Sequence, residues 1–208
     1  MKSIALASSK GGSGKSTLAL HLAALAQLQE LDVLIVDMDS HSLTATEWAL
    51  EREEESPAVV RADPSDVSEL LKQAKNEGFD LVILDMPPYI SEPVAIVTDA
   101  VDLTIVPCRT SFADLRTLTR VLEKVRGTYF VVLNACHPGG LKNKKTVEAL
   151  DLLKEHSIPV STCLISQRVA FADALNSGHA VVEYDPESRA SSEVSELLNW
   201  SLNELQKT

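Results

Sequence analysis

Three places in this 208-residue chain carry side chains at spacings that could do chemistry. The first is Gly11-Gly12-Ser13-Gly14-Lys15-Ser16-Thr17, which follows a short apolar run and opens an Ala/Leu-rich stretch. Glycines let a backbone curl so that its N–H groups converge, and a helix N-terminus behind them adds partial positive charge. Together they form an anion site. Lys15 is placed to meet the β- and γ-phosphates of a nucleotide and Ser16 to put its hydroxyl on a metal, so ATP with Mg2+ is the expected ligand pair. The second place is Asp37 and Asp39, which close the apolar run Val33–Val36. Alternation along an extended chain puts both carboxylates on one side. The third is Asp85, at the end of Phe79-Asp-Leu-Val-Ile-Leu, the pattern of a strand presenting a metal-binding carboxylate.

These groups need a scaffold that brings separate strand ends together. Short continuous apolar runs recur at Ile4–Ala7, Val33–Val36, Leu81–Leu84, Leu103–Val106, Phe130–Leu133 and Val160–Leu164. Continuous hydrophobicity marks strands buried on both faces. Helical patterns lie between them, at Ser16–Glu30, Val67–Asn76, Leu115–Arg126 and Val147–Glu155, and a last one spans Ser192–Leu205. The alternation predicts one doubly wound α/β domain over residues 1–208, with a mostly parallel sheet covered by helices on both faces. A strand, a glycine loop ending in Lys-Ser and a helix in that order predict a P-loop fold. The acidic run Glu51–Glu55, broken by Arg52 and followed by Ser56-Pro57, reads as an exposed turn.

Aromatics make up 4% of the chain, so Val, Ile, Leu and Ala must build the core. Cys108, Cys136 and Cys163 are far apart and lack metal-site spacing, which suits reduced thiols in a cytoplasmic protein. No stretch approaches the length of a transmembrane helix. The net charge is −11, but it is unevenly spread. Residues 109–145 hold eight basic side chains (Arg109, Arg116, Arg120, Lys124, Arg126, Lys142, Lys144, Lys145) against Asp114 and Glu123. That segment is +6 in a chain whose remainder is −17.

Lys10 stands directly before the first glycine, and Lys10–Ser16 resembles the KGGxGK[ST] loop of the ParA/MinD ATPases. The strand ending in Asp37-Met-Asp39, the strand ending in Asp85, Asn134 and the segment Gln167–Gly178 follow in that family's order. The resemblance runs from Lys2 to about Val182. It implies that Lys10 reaches across an ATP-dependent homodimer to the partner's nucleotide. It further assigns Asp37 to the outer shell of the metal, Asp39 to orienting the attacking water and Asn134 to the base pocket. It places Arg168 and its neighbours near the nucleotide and the dimer face. Ser40-His41 replaces the family's frequent Pro-Gln, which affects the loop after the carboxylates.

Within that family the tail Ser192–Thr208 is acidic, unlike the basic membrane-binding helix of MinD-type members, so no membrane contact is expected. No cysteine pair suits an iron–sulfur reductase. The resemblance therefore implies a short ParA-type partition or cargo-positioning ATPase, associated with the nucleoid when ATP-bound. A small ParB-like or adaptor protein would stimulate it. The alternative is a MinD-like ATPase acting on a membrane or protein scaffold. The basic segment supports DNA independently. On a helix, Arg116, Arg120 and Lys124 share one face, opposite Leu115, Leu118, Leu122 and Val125. With Lys142, Lys144 and Lys145 they are the candidate contacts to double-stranded DNA, without sequence preference.

Overall fold

The structure is a computed structural model that describes residues 1–88 and 92–207. Its strands are β1 (Lys2–Leu6), β2 (Val33–Asp37), β3 (Ala58–Arg61), β4 (Leu81–Asp85), β5 (Leu103–Cys108), β6 (Tyr129–Cys136) and β7 (Val160–Ser166). They form one sheet in the order β3-β2-β4-β1-β5-β6-β7, and every pairing is parallel. The helices are α1 (Lys15–Leu28), α2 (Thr44–Glu51), α3 (Val67–Glu77), α4 (Glu92–Ala100), α5 (Phe112–Leu122), α6 (Lys144–Glu155), α7 (Val169–Asn176), α8 (Val181–Tyr184) and α9 (Arg189–Leu205).

Two apolar layers follow from strand alternation. Ile4, Leu6, Ile35, Leu81 and Ile83 face α1 and α9, where Leu18, Leu22, Val194 and Leu198 are buried. Their neighbours Ala5, Leu34, Val36, Val82 and Leu84 face the other way, against Val67 of α3, Leu118 of α5 and Leu153 of α6. Each Val, Leu or Ile among them contributes about 1.5–3 kcal/mol by leaving water, and truncating Ile83 to Ala would cost about 2–5 kcal/mol. The three cysteines are buried in these layers and free.

Several elements were not visible in the hydrophobic pattern. β3 is a short edge strand with half-exposed residues. α2 buries only Ala45 and Trp48. The expected exposed turn at Glu51–Glu55 needs correction at one residue. Glu51, Glu53, Glu54 and Glu55 are exposed, but the Arg52 side chain is only 5% exposed. Its guanidinium meets both oxygens of Glu183 at 2.7 and 2.9 Å, donates to the carbonyls of Ser56 and Gly178, and lies 4.6 Å from the Trp48 ring centroid. A Cβ on Gly178 would sit 2.5 Å from the Glu51 carbonyl oxygen, so α2 closes directly on that glycine, whose φ is +72°.

The helix expected over Leu115–Arg126 instead runs Phe112–Leu122. The Ser111 hydroxyl caps it by accepting from the Asp114 N–H, and Lys124 lies beyond its last turn. α6 starts at Lys144, where the Asn143 side chain accepts from the N–H of Lys145 and Thr146.

β1 lies where the connections diverge: β2, β3 and β4 lie to one side and β5, β6 and β7 to the other. In open parallel sheets the crevice outside the carboxyl ends of strands at such a point is the ligand site. The loop after β1 opens there.

Candidate nucleotide and metal site

The loop after β1 is shaped by glycine. Gly12 and Gly14 have φ of +71° and +99°, and a Cβ on Gly14 would lie 2.0 Å from Nδ2 of Asn134. Asn134, on β6, donates from that nitrogen to the Ser13 carbonyl at 2.7 Å. Its role in the structure is thus to hold the loop, and it also borders a cavity of about 240 Å3 lined by Gly12, Gly14, Gln167, Arg168 and Phe171. Arg168 does not reach freely into that space. Glu193 of α9 holds its guanidinium at 2.7 Å and also accepts from the N–H and hydroxyl of Ser166. Inside the loop, the Ser8 and Ser13 hydroxyls are 2.6 Å apart, and Ser8 donates to the Lys10 carbonyl.

Lys15 opens α1 and is 6% exposed. Among the described residues its ammonium has one polar contact, of 3.4 Å, to the Ser8 hydroxyl. Burial lowers its pKa, while the carboxylates of Asp85 and Asp39 favour the charged form. Ser16 and Thr17 follow it in the first turn, partly exposed at the mouth of the loop.

The parallel register sets Asp37 of β2 beside Asp85 of β4, and Leu6 of β1 beside Asp85 on its other side. Asp85 is completely buried, and neither of its carboxylate oxygens has a hydrogen-bond partner among the described residues. Burial pushes its pKa up to about 7, against the Ser16 hydroxyl and Lys15, which favour the ionised form without either meeting bonding geometry; Asp37 and Asp39 push it further up. An orphaned carboxylate in such a place is costly unless a cation completes it. Mg2+ binds through one or two carboxylates, a hydroxyl, waters and substrate phosphates. Asp85, Asp37 and Ser16 around the loop fit that set. Among the described residues there is no cluster of three or more Asp, Glu, His or Cys that could hold a metal ion.

Asp37 and Asp39 are both buried but bonded differently. β2 ends at Asp37, so Asp39 stands on the following loop rather than further along the strand as expected. Asp37 accepts from the N–H and hydroxyl of Thr46 at 2.9 and 2.8 Å, and from the Asp39 N–H at 3.2 Å. Asp39 accepts from the His41 N–H at 3.0 Å and from the Ser42 hydroxyl at 2.7 Å. Burial pushes the Asp39 carboxyl up, but the Ser42 and His41 bonds and Lys15 outweigh it and hold it below the usual range. The Ser40-His41 departure therefore still forms a closed turn around Asp39. Thr46 and Ser42 were not singled out in the sequence. Their only signal there is a hydroxyl a few residues after a carboxylate. A second opening, of about 470 Å3, lies beside Asp37 on the outer side, between Met38, Arg61, Met86 and Pro93.

Lys10 points away from this group. Its ammonium is 2.6 Å from Asp114 in the first turn of α5. The structure therefore brings Lys15, Ser16, Asp37, Asp39, Asp85 and Asn134 around the loop and sets Lys10 at its edge. Arg116, Arg120, Lys124, Lys142, Lys144 and Lys145 are all exposed, and Lys144 pairs with Glu148 at 3.4 Å.

The model of the CobQ/CobB/MinD/ParA nucleotide binding domain matches residues 4–182. The chain belongs to this family. As a member of the ParA/MinD group it is an ATPase, and its cofactors are ATP and Mg2+. It is 30% identical over 189 residues to the maintenance of carboxysome distribution protein A of Gloeobacter kilaueensis, covering 87% of this chain and 84% of that protein. It is 24% identical to the chromosome-partitioning ATPase Soj of Thermus thermophilus, over 90% of each. Among solved structures, apo McdA of Cyanothece superposes with a TM-score of 0.72 at 23% identity, covering 95% of this chain and 99% of that one. MinD of Aquifex aeolicus superposes with a TM-score of 0.76 at 19% identity over 98% of each. These two likenesses concern the fold.

Proposed function

We propose that this ParA/MinD-type ATPase positions a cargo (a plasmid, a chromosome or a protein assembly) by dimerising on ATP and binding DNA without sequence preference. A small partner protein would stimulate hydrolysis. The observation that carries the nucleotide half is Asp85, a buried and unpartnered carboxylate beside Lys15 and Ser16. Residues Gly11–Thr17 wrap the phosphates with backbone N–H groups, and Lys15 neutralises the transferring group. Ser16 and Asp85, with Asp37 outside them, hold Mg2+, which when bound stabilises charge on the phosphate oxygens. Asp39, kept ionised by the turn around it, orients the attacking water. Asn134 fixes the loop and borders the space for the base. Lys10 acts on the nucleotide of the second subunit.

The DNA half rests on the six exposed cations in a segment of +6. Two of them, Lys144 and Lys145, sit in the first turn of α6, where the helix dipole disfavours positive charge, and only Lys144 is offset there by a helix-surface pair, with Glu148, among the described residues. Several weak phosphate contacts add through counterion release, and a two-fold dimer doubles them on one surface. The acidic remainder is then left for a basic segment of the stimulating partner. The relationship to the carboxysome-distribution protein supports a protein assembly as cargo. Among the described residues no helix is long and apolar enough to cross a membrane, and α9 lays Val194, Leu197 and Leu198 against the core. A nucleoid location when ATP-bound follows from this reading.

The test is an anisotropy titration with random-sequence double-stranded DNA, with and without ATP, across a salt series. Replacing Arg116, Arg120 and Lys124 by Glu is expected to abolish ATP-dependent binding and leave the dimer intact. Wild-type affinity in that variant would remove α5 from the interface, and no ATP-dependent binding at low salt would remove DNA from the proposal.

A further inference from the structure

Two arginines border the cavity of about 240 Å3 beside the phosphate loop, and they are not equivalent. Arg168 is already neutralised, because Glu193 holds its guanidinium at 2.7 Å. Arg109 follows β5 directly and is exposed. Among the described residues its side chain makes no ion pair and donates no hydrogen bond. Asp114 feels its charge, but both oxygens of that carboxylate are taken, one by Lys10 and the other by the Ser111 hydroxyl. The Arg109 guanidinium instead lies against the loop. Its Nη2 is 3.9 Å from the place that a Cβ on Gly12 would take, and Gly12 has a φ of +71°. Lys10, Lys15 and the convergent N–H groups already make this loop positive. A further cation without a counter-charge adds repulsion there, so the arrangement suits a bound anion.

The cavity narrows down which anion. Gly12, Gly14, Thr17 and Asn134 line it, whereas Asp37, Asp39 and Asp85 do not. It therefore borders the loop apart from the metal carboxylates, where the stretch of a nucleotide between its base and its γ-phosphate would run. We propose that Arg109 is a nucleotide-binding residue that meets the α- and β-phosphates of ATP and ADP alike. The inference rests on the reading of Gly11–Thr17 as the phosphate loop. A guanidinium offers planar, paired donors that match phosphate oxygens, and Arg109 has all of its donors available. The α- and β-phosphates are present in substrate, transition state and product. A contact to them lowers KM and leaves the chemical step to other groups. At an exposed rim, where water and salt screen it, such a contact strengthens binding by about tenfold.

The experiment titrates the wild type and Arg109→Gln with fluorescent ADP and with a slowly hydrolysed ATP analogue, in Mg2+ and across a salt series. Arg109→Gln is expected to weaken both nucleotides about tenfold, and to raise KM for ATP by the same factor while kcat moves far less. Wild-type ADP affinity should fall with salt more steeply than that of the variant. The nucleotide-free melting temperature should stay at the wild-type value, because the side chain holds no other group. Unchanged ADP affinity overturns the proposal, as does a loss confined to the ATP analogue, which would move the contact to the γ-phosphate. A melting temperature that falls with the affinity would make Arg109 structural and overturn it too. Weaker DNA binding with unchanged ADP affinity would place Arg109 among the DNA-facing cations instead. Lys15→Ala reports separately on the loop. If it abolishes ADP binding while Arg109→Gln has no effect, only the role of Arg109 fails. If it binds ADP as wild type, the phosphate-loop reading fails and the role of Arg109 with it.

Discussion

Arg52 offers the sharpest test of how α2 is joined to α8. It ties the end of α2 to α8 through Glu183 and to the chain before α8 through the Gly178 carbonyl. Truncation to Ala leaves Glu183, itself 15% exposed, with an uncompensated carboxylate, and strips donors from two carbonyls. Removing one member of a largely buried pair costs about 3–5 kcal/mol, and the lost contact with the Trp48 ring adds up to about 1 kcal/mol. These terms overlap, so about 4 kcal/mol is the expected loss, a large share of a typical domain's 5–15 kcal/mol. With an m-value of about 2 kcal/mol/M the urea midpoint falls by about 2 M. The double variant Arg52→Met/Glu183→Leu is expected to recover most of it, because no charge is then stranded. The pH dependence has a definite sign. Burial raises the Glu183 carboxyl, but the Arg52 and Ala180 bonds hold it below its ordinary value. Its contribution is therefore present above the unfolded pKa and lost as pH falls through the folded one. Arg52→Ala should show less of that acid loss. A cost under about 1 kcal/mol, or a double variant as unstable as the single, would mean that the pair behaves as a solvated surface bridge and that the reasoning is wrong.

Two further outcomes follow from the nucleotide site. Asp85 has a folded pKa of about 7 against 3.8, so ionising it at pH 8 costs the nucleotide-free protein about 4 kcal/mol. Its favourable contribution is full below the unfolded pKa and is lost as pH rises toward 7, so Asp85→Asn should gain stability over wild type across that range in urea titrations while losing Mg2+-dependent ATPase activity. A stability difference that does not grow with pH would count against a buried, unpaired carboxylate. Lys15→Ala should abolish nucleotide binding in a fluorescent-analogue titration. Asp39→Ala should bind ATP, fail to hydrolyse it and accumulate as dimer, and wild-type turnover in Asp39→Ala would remove the water-orienting role.

The sheet was legible because its strands are buried on both faces, which leaves runs such as Leu81–Leu84 without polar interruption. The candidate site was legible for a related reason: Asp37 and Asp85 close two of those runs, where a polar residue stands out, and Lys15 follows the glycine loop after the first run of the chain. What was hidden lacked that contrast. α2 and β3 bury little, and their sequence pattern is close to that of a loop. Arg52 was read as part of a solvated charge run because sequence distance conceals Glu183, 131 positions away. The pairing of Lys10 with Asp114 spans 104 positions and has no local signature at all. Asn134 was visible as a strand-end polar residue, but its bond to Ser13 depends on the loop after β1 meeting the end of β6.

The three thiols have a practical consequence. Burial pushes Cys108 up to about 12 and Cys136 up to about 11, and raises Cys163 as well. At pH 7.5 the reactive thiolate is then about three parts in ten thousand for Cys136 and about a tenth of that for Cys108, against about one part in ten for an ordinary exposed thiol. Maleimide and iodoacetamide reagents need both thiolate and access, and these side chains offer neither. A cysteine introduced in place of an exposed residue such as Leu50 or Lys142 would therefore take up a fluorophore selectively in the otherwise unaltered chain. The native thiols are buried and disfavoured as thiolates, so distance measurements between two copies of the protein can be made without first stripping it of its own cysteines.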